Sequence, residues 1–101
     1  MMKTTLLETD GKMVVVLSGE LDTVAAAETE AALQPLFDCV GKDLVLDCTE
    51  LEYITSSGLN ILMNLLKTAQ PKGERVILKN VNEGIRNILD LTGFVSYFEF
   101  E

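Results

Sequence analysis

Short apolar runs alternate along the chain with longer segments whose apolar residues recur at helical spacing. That alternation predicts an α/β domain. Thr4–Glu8 and Met13–Ser18 read as two strands. The Thr9-Asp10-Gly11-Lys12 segment between them reads as a hairpin turn, because Asp and Gly both tolerate positive φ. The run Met13-Val14-Val15-Val16-Leu17 is apolar at every position, which predicts a strand buried on both faces.

Gly19-Glu20-Leu21 closes the second strand, and Asp22 suits the N-cap of a helix. Val24, Ala27, Ala31 and Leu36 are the expected buried stripe of that helix, with a kink or break at Pro35. Gly41 reads as a turn, Asp43–Cys48 as a third strand and Leu59–Ala69 as a second main helix ended by Gln-Pro-Lys-Gly. Arg75–Lys79 is a fourth strand. Asn80-Val81-Asn82-Glu83 resembles a capping box for a third helix through Ile85, Ile88 and Leu89. Gly93 should cap that helix in the left-handed region, with Phe94 folding back, and Tyr97–Phe100 could add an edge strand. The expected order is ββαβαβαβ. Right-handed crossovers would make the later strand pairs parallel, and the hairpin makes the sheet mixed. Residues 1–101 read as one domain with about four or five strands.

Composition narrows the chemistry. The chain has no His, which excludes a Ser–His or Cys–His nucleophile pair within it. Two Cys without His cannot build a common four-ligand zinc site. Cys39 and Cys48 form no Cys-x-x-Cys motif and read as small buried residues with free thiols. The seven glycines form no Walker or Rossmann pattern. Sixteen Asp and Glu against eight Lys and Arg give −8, which argues against nucleic acid as a partner. The acidity is one-sided: residues 1–54 hold 11 acidic and 3 basic side chains, whereas residues 55–101 hold 5 of each. The uncharged stretch Thr55–Leu66 is too short to span a bilayer, and the N-terminus does not read as a signal peptide. A cytoplasmic protein without membrane insertion is the expectation.

The most distinctive stretch is Asp47-Cys48-Thr49-Glu50-Leu51-Glu52-Tyr53-Ile54-Thr55-Ser56-Ser57-Gly58-Leu59. A strand ends in an aspartate, an acidic connection follows, and three hydroxyls with a glycine open a helix. One serine could be an ordinary N-cap. Alternatively, a hydroxyl there could carry a phosphate, which the free N–H groups and the positive helix end would tolerate. With no His to activate it, such a serine would be the substrate of another enzyme. Asn60 and Asn64 share one helix face, with Lys67 a turn further on, and Leu59, Leu62, Met63 and Leu66 fill the rest. Two readings stand: an uncharged, partly apolar docking face, or a well-buried helix with two satisfied asparagines. Asp22 and Asp47 as an acid/base pair find no accompanying substrate pocket in the pattern.

Four segments in order resemble the STAS domain of bacterial anti-sigma factor antagonists. They are Ser18-Gly19-Glu20-Leu21-Asp22, Leu44-Val45-Leu46-Asp47-Cys48-Thr49, Ile54-Thr55-Ser56-Ser57-Gly58-Leu59 and Leu89-Asp90-Leu91-Thr92-Gly93-Phe94. The resemblance implies a STAS-like fold and a non-enzymatic partner switch without a cofactor of its own. The unmodified domain would bind an anti-sigma factor serine kinase and so free a sigma factor. The kinase, holding ATP, would phosphorylate a serine at the start of the second main helix, and a phosphatase would reverse it. By position Ser56 resembles the phosphoacceptor, Asp22 and Asp47 match acidic positions near it, and Gly58 matches the glycine of the tight entry into the helix. Thr55 stands where many members carry Asp, which leaves Thr55 and Ser57 as alternative acceptors. The expected partner surface comprises Asp22, Asp47, Thr55, Ser56, Ser57, Gly58, Asn60 and Asn64, with no metal ligands. The other reading is an unphosphorylated STAS-like subunit of a transporter ATPase or a signalling scaffold.

Overall fold

The computed structural model describes residues 2–93 and 95–101. Its strands are β1 (Lys3–Thr9), β2 (Lys12–Leu21), β3 (Asp43–Ile54), β4 (Val76–Lys79) and β5 (Glu99–Phe100). Its helices are α1 (Thr23–Ala32), α2 (Gln34–Asp38), α3 (Ser56–Ala69) and α4 (Glu83–Thr92). The five strands form one sheet in sequential order. β1 and β2 are antiparallel, and every later pair is parallel. The hairpin turn is as read: Asp10 and Gly11 have φ of 50° and 74°, the pair of positive values that a two-residue turn of matching twist needs.

Each parallel strand is added on the same side of the one before. Right-handed crossovers then place every helix on the same face of the sheet. The core follows from this: Val15, Leu17, Leu44, Leu46, Cys48, Val76 and Leu78 alternate along the strands toward that face. They meet Leu36, Leu62, Leu65, Ile85 and Leu89 from α2, α3 and α4, and Leu33 at the junction of α1 and α2. The opposite face carries no helix. Val14 and Val16 are therefore only half-buried, and β2 is not the doubly covered strand that its apolar run suggested.

Other expectations shift. The expected break comes at Leu33, which ends α1 and begins α2, and Pro35 sits in the first turn of α2, where a missing N–H costs nothing. The buried stripe of α1–α2 is Ala25, Thr29, Leu33 and Leu36; Val24, Ala27 and Ala31 are exposed. Asp22 fixes this phase by accepting from the Ala25 N–H at 2.9 Å, which turns position 25 inward. Finally, β3 does not stop at Cys48 but runs on to Ile54 beside an extended β2. The pairing survives through two register shifts near Ser18 and Gly19, and Gly19 takes φ of 104°, which a side chain would resist.

The C-terminal part is close to expectation. Asn82 caps α4 through Ile85 N–H at 2.8 Å, and Gly93 ends it in the left-handed region at φ 77°. Asn80 is not part of the cap; it has φ 58° and donates to Thr49 Oγ1. Val95–Tyr97 is a 3-10 turn before the short edge strand β5. The expected return of Phe94 lies outside the described residues.

Candidate functional site

β2 and β3 run parallel and end side by side, Leu21 opposite Ile54. Each leads through one capping residue into a helix, so the N-termini of α1 and α3 open together at the carboxyl end of the sheet. That is where open α/β sheets commonly place their sites. Asp22 caps α1. Thr55, not a serine, caps α3: its Oγ1 accepts from Gly58 N–H at 3.4 Å. Thr55 is also held from β2, donating through its N–H to Leu21 O at 3.0 Å and through its hydroxyl to the same oxygen at 3.4 Å.

Ser56 and Ser57 thus become the first two residues of the helix. Ser56 is exposed, and among the described residues its hydroxyl has no hydrogen-bond partner. Ser57 is half-buried, with Oγ 3.3 Å from Thr23 Oγ1 at the start of α1. The first turn of α3 holds no acidic residue, so no side-chain charge in that turn offsets the positive end of its dipole. Gly58 is buried and belongs to the packing. A Cβ there would lie 2.6 Å from both Leu21 Cγ and Leu21 O and 2.9 Å from Ile54 Cγ1. Its absence lets the first turn of α3 rest on the end of β2.

Along α3, Asn60, Asn64 and Lys67 form a narrow exposed stripe. Leu59, Leu62, Met63 and Leu66 are all buried, so the helix contributes no apolar docking face. Exposed apolar surface comes from two residues, one of them Val24, which periodicity assigns to the core. Val24, next to Thr23, is 90% exposed, and Tyr53, two residues before Thr55, is 51% exposed. The structure gathers Asp22, Thr55, Ser56, Ser57 and Gly58 at one end of the sheet, with Asn60 and Asn64 on successive turns beyond. Asp47 is not among them. It lies seven residues back along β3, on the order of 20 Å away at the rise of an extended strand. There it accepts from Thr49 Oγ1 at 2.6 Å and Thr49 N–H at 3.1 Å, bonds that hold its carboxyl below the usual range.

Chemically, Ser56 has no hydrogen-bonded base among the described residues, and the carboxylate gathered at this end, Asp22, is engaged in capping α1. The site offers a hydroxyl at a helix end suited to an anion, with a small apolar and polar surface around it. A family model described as STAS domain matches residues 3–101. The chain belongs to the STAS-domain family. An anti-sigma-B factor antagonist of Bacillus subtilis is 29% identical over 77 residues, covering 76% of this chain and 70% of that protein. The crystal structure of an anti-sigma factor antagonist from Mycobacterium paratuberculosis superposes with a TM-score of 0.84 at 29% identity, over 99% of this chain and 85% of the other. The Bacillus cell fate determinant SpoIIAA in its phosphorylated form shares the fold, with a TM-score of 0.75 at 20% identity, over 98% of this chain and 91% of that one. As in these STAS folds, a single mixed sheet is layered by helices. No helix among the described residues is long and apolar enough to cross a membrane.

Proposed function

We propose that this STAS domain is a cytoplasmic anti-sigma factor antagonist switched by phosphorylation of Ser56. Unmodified, it binds an anti-sigma factor serine kinase, which brings ATP, and so frees a sigma factor. The contact surface is Asp22, Val24, Tyr53, Thr55, Ser56, Ser57, Asn60 and Asn64. Asp47, on the order of 20 Å away along β3, is not part of it. Phosphorylation adds roughly −1.5 to −2 of charge at the centre of this surface and weakens the complex; a phosphatase restores it. The domain acts by binding and performs no chemistry of its own.

The carrying observation is the placement of Ser56: exposed, with a free hydroxyl, at the first position of a helix whose first turn has no acid. A phosphate there meets free N–H groups and can be borne without unfolding the helix. The existence of a phosphorylated form of SpoIIAA supports the same reading.

The test uses wild type, Ser56→Ala and Ser56→Asp against the anti-sigma factor kinases of the source genome. Intact mass should show one ATP-dependent phosphoryl group on wild type and none on Ser56→Ala. Ser56→Asp should bind at least about tenfold more weakly than wild type. Equal binding by Ser56→Asp rejects the switch at this residue, and a phosphorylated Ser56→Ala moves it to Thr55 or Ser57. No mass change with any kinase, together with co-purification with a transporter ATPase or a scaffold, supports the structural-subunit reading instead.

A further inference from the structure

We infer that the helix-free face of the sheet is a self-association surface, through which two copies of this chain pack sheet against sheet. Alternation along the strands assigns the residues. Those pairing away from the core are Lys3, Thr5 and Leu7 on β1, Lys12, Val14 and Val16 on β2, Asp43, Val45 and Asp47 on β3, and Ile77 and Lys79 on β4. Arg75 precedes β4 and Glu99 lies on β5 opposite Ile77, both with the same orientation. A shallow groove crosses this face between Leu7, Val14, Val16 and Val45, with Lys12, Asp47, Lys79 and Glu101 around it. Leu7 is 52% exposed and Val14 and Val16 are half-buried, so apolar surface lies open over β1 and β2, while Val45 and Ile77 further along the face are buried.

Charge decides the occupant. The face holds four cations, Lys3, Lys12, Arg75 and Lys79, and five acids, Asp10, Asp43, Asp47, Glu99 and Glu101, and is close to neutral at −1. The other four cations and eleven acids lie elsewhere, so nearly all of the −8 resides off this face. Two such molecules repel through every other approach. A strongly basic partner is drawn to the rest of the surface, and a strongly acidic one finds no positive field on this face. A second copy meets a nearly neutral, partly apolar strip identical to its own. The charges also suit it. Arg75 is paired with Asp43 and Glu99, whereas Lys12 and Lys79 lie beside Asp43 and Asp47 in the sheet without closing to an ion pair. A two-fold axis through the strip can bring these lysines over the Asp47 and Glu101 carboxylates of the second copy, in an isologous contact. Among the described residues of this face only Leu7, Val14 and Val16 offer open apolar surface, so the expected dimer is weak and concentration-dependent. It leaves both Ser56 ends free.

Sedimentation equilibrium of the purified chain, from micromolar to millimolar concentration and at low and high salt, tests this. Wild type should pass from monomer to dimer, and salt should favour the dimer by screening the −8 on each copy. Val14→Lys and Val16→Lys, made separately on an interior strand so that no sheet edge is altered, should each weaken association by about tenfold or more. Val24→Lys, on the opposite layer beside the Ser56 end, should leave it unchanged. Methyl NMR of wild type gives a readout independent of any variant's folding: Val14, Val16 and Val45 signals should shift with concentration. A monomer at all concentrations and salts overturns the inference and leaves the face to a different protein. So does a Val14→Lys variant that is folded and dimerises as tightly as wild type, or an association abolished by Val24→Lys.

Discussion

Replacing Gly58 by Ala should destabilise the protein, although a glycine-to-alanine change inside a helix ordinarily does the reverse. Gly58 lies in the first turn of α3 and does not have positive φ, so its backbone is one that alanine adopts freely. Intrinsic preference alone would favour alanine by up to about 1 kcal/mol. The opposing term is steric. The new methyl would sit 2.6 Å from Leu21 Cγ and Leu21 O and 2.9 Å from Ile54 Cγ1. The Leu21 oxygen is backbone, at the end of a paired strand, and both Leu21 and Ile54 are buried. None of these atoms is the free end of a flexible side chain, so the helix start must move away. That movement strains the Leu21 O contacts to Thr55 N–H and Thr55 Oγ1, and with them the cap of α3. Overpacking costs about 1–3 kcal/mol, and a weakened cap adds about 1 kcal/mol. Against the propensity gain, a net loss of roughly 2 kcal/mol is expected, or on the order of 10 °C in Tm for a domain of this size. Urea and thermal unfolding followed by circular dichroism measure it directly. A Gly58→Ala variant as stable as wild type would falsify the steric account and mean that α3 can shift at little cost.

Three other outcomes follow from buried or bonded groups. Lys72 Nζ donates to Phe37 O and Cys39 O at 2.8 Å each and lies 4.0 Å from the buried Glu74 carboxylate, which accepts from Gly41 N–H. Lys72→Met should therefore cost about 2–4 kcal/mol in urea unfolding, because a buried carboxylate loses its nearest cation; a loss below about 0.5 kcal/mol, as for an exposed lysine, would count against this clasp. Hydrogen bonds from the Arg75 backbone and side chain hold Asp43 below its ordinary 3.8. Its stabilising contribution is then complete above 3.8 and is lost as the pH falls through the lowered value, so Asp43→Asn should flatten the acid limb of stability against pH. An unchanged acid limb would show that this carboxyl does not contribute. Burial, with the Asp47 charge a smaller cause, pushes the Cys48 thiol up to about 12. At pH 8 a thiol reagent should modify Cys39 slowly and Cys48 only on unfolding, and equal native-state rates would contradict the burial.

Features set by local chemistry were legible in the sequence: the Asp10-Gly11 turn, a helix break close to Pro35, a helix starting after Asn80-Val81-Asn82 and the left-handed Gly93. The STAS resemblance, too, rested on segments that the fold keeps in order. What was not legible depends on tertiary phase. The alanine-rich α1 has no clear apolar stripe, so Val24 drew the inward assignment, while the buried positions are Ala25 and a threonine, Thr29. The second half of β3 buries Cys48, Leu51 and Ile54 at a spacing of three, which matches neither strand nor helix period. The register shifts opposite Ser18 and Gly19 produce that spacing, and they are set by β2, not by β3 itself. Among the site residues, Ser56 could be placed at a helix start from its neighbours. Which of three adjacent hydroxyls caps the helix could not be read, because all three types can cap. The answer turned on the reach of Thr55 to Leu21 across two strands.

That reach also bears on Thr55 standing where related domains often have Asp. A carboxylate at the cap would serve the Gly58 N–H, but it could not donate to Leu21 O, and it would set a negative charge against that carbonyl. Threonine satisfies both, as acceptor toward the helix and donor toward β2, although each bond is long at 3.4 Å. It also keeps the first turn of α3 free of fixed negative charge. On the proposed switch, a phosphate arriving at Ser56 would then meet the positive helix end without a carboxylate one residue away, and the repulsion falling on the folded state would be smaller. The charge added to the partner surface would be nearly the same. Thr55→Asp separates the two contributions. It should leave the unphosphorylated domain within about 1 kcal/mol of wild type in stability. The destabilisation caused by phosphorylation, read as the difference in urea midpoint between modified and unmodified protein, should be larger than in wild type and shrink with added salt. Equal differences in the two backgrounds would mean that the identity of the cap has no electrostatic consequence for the switch.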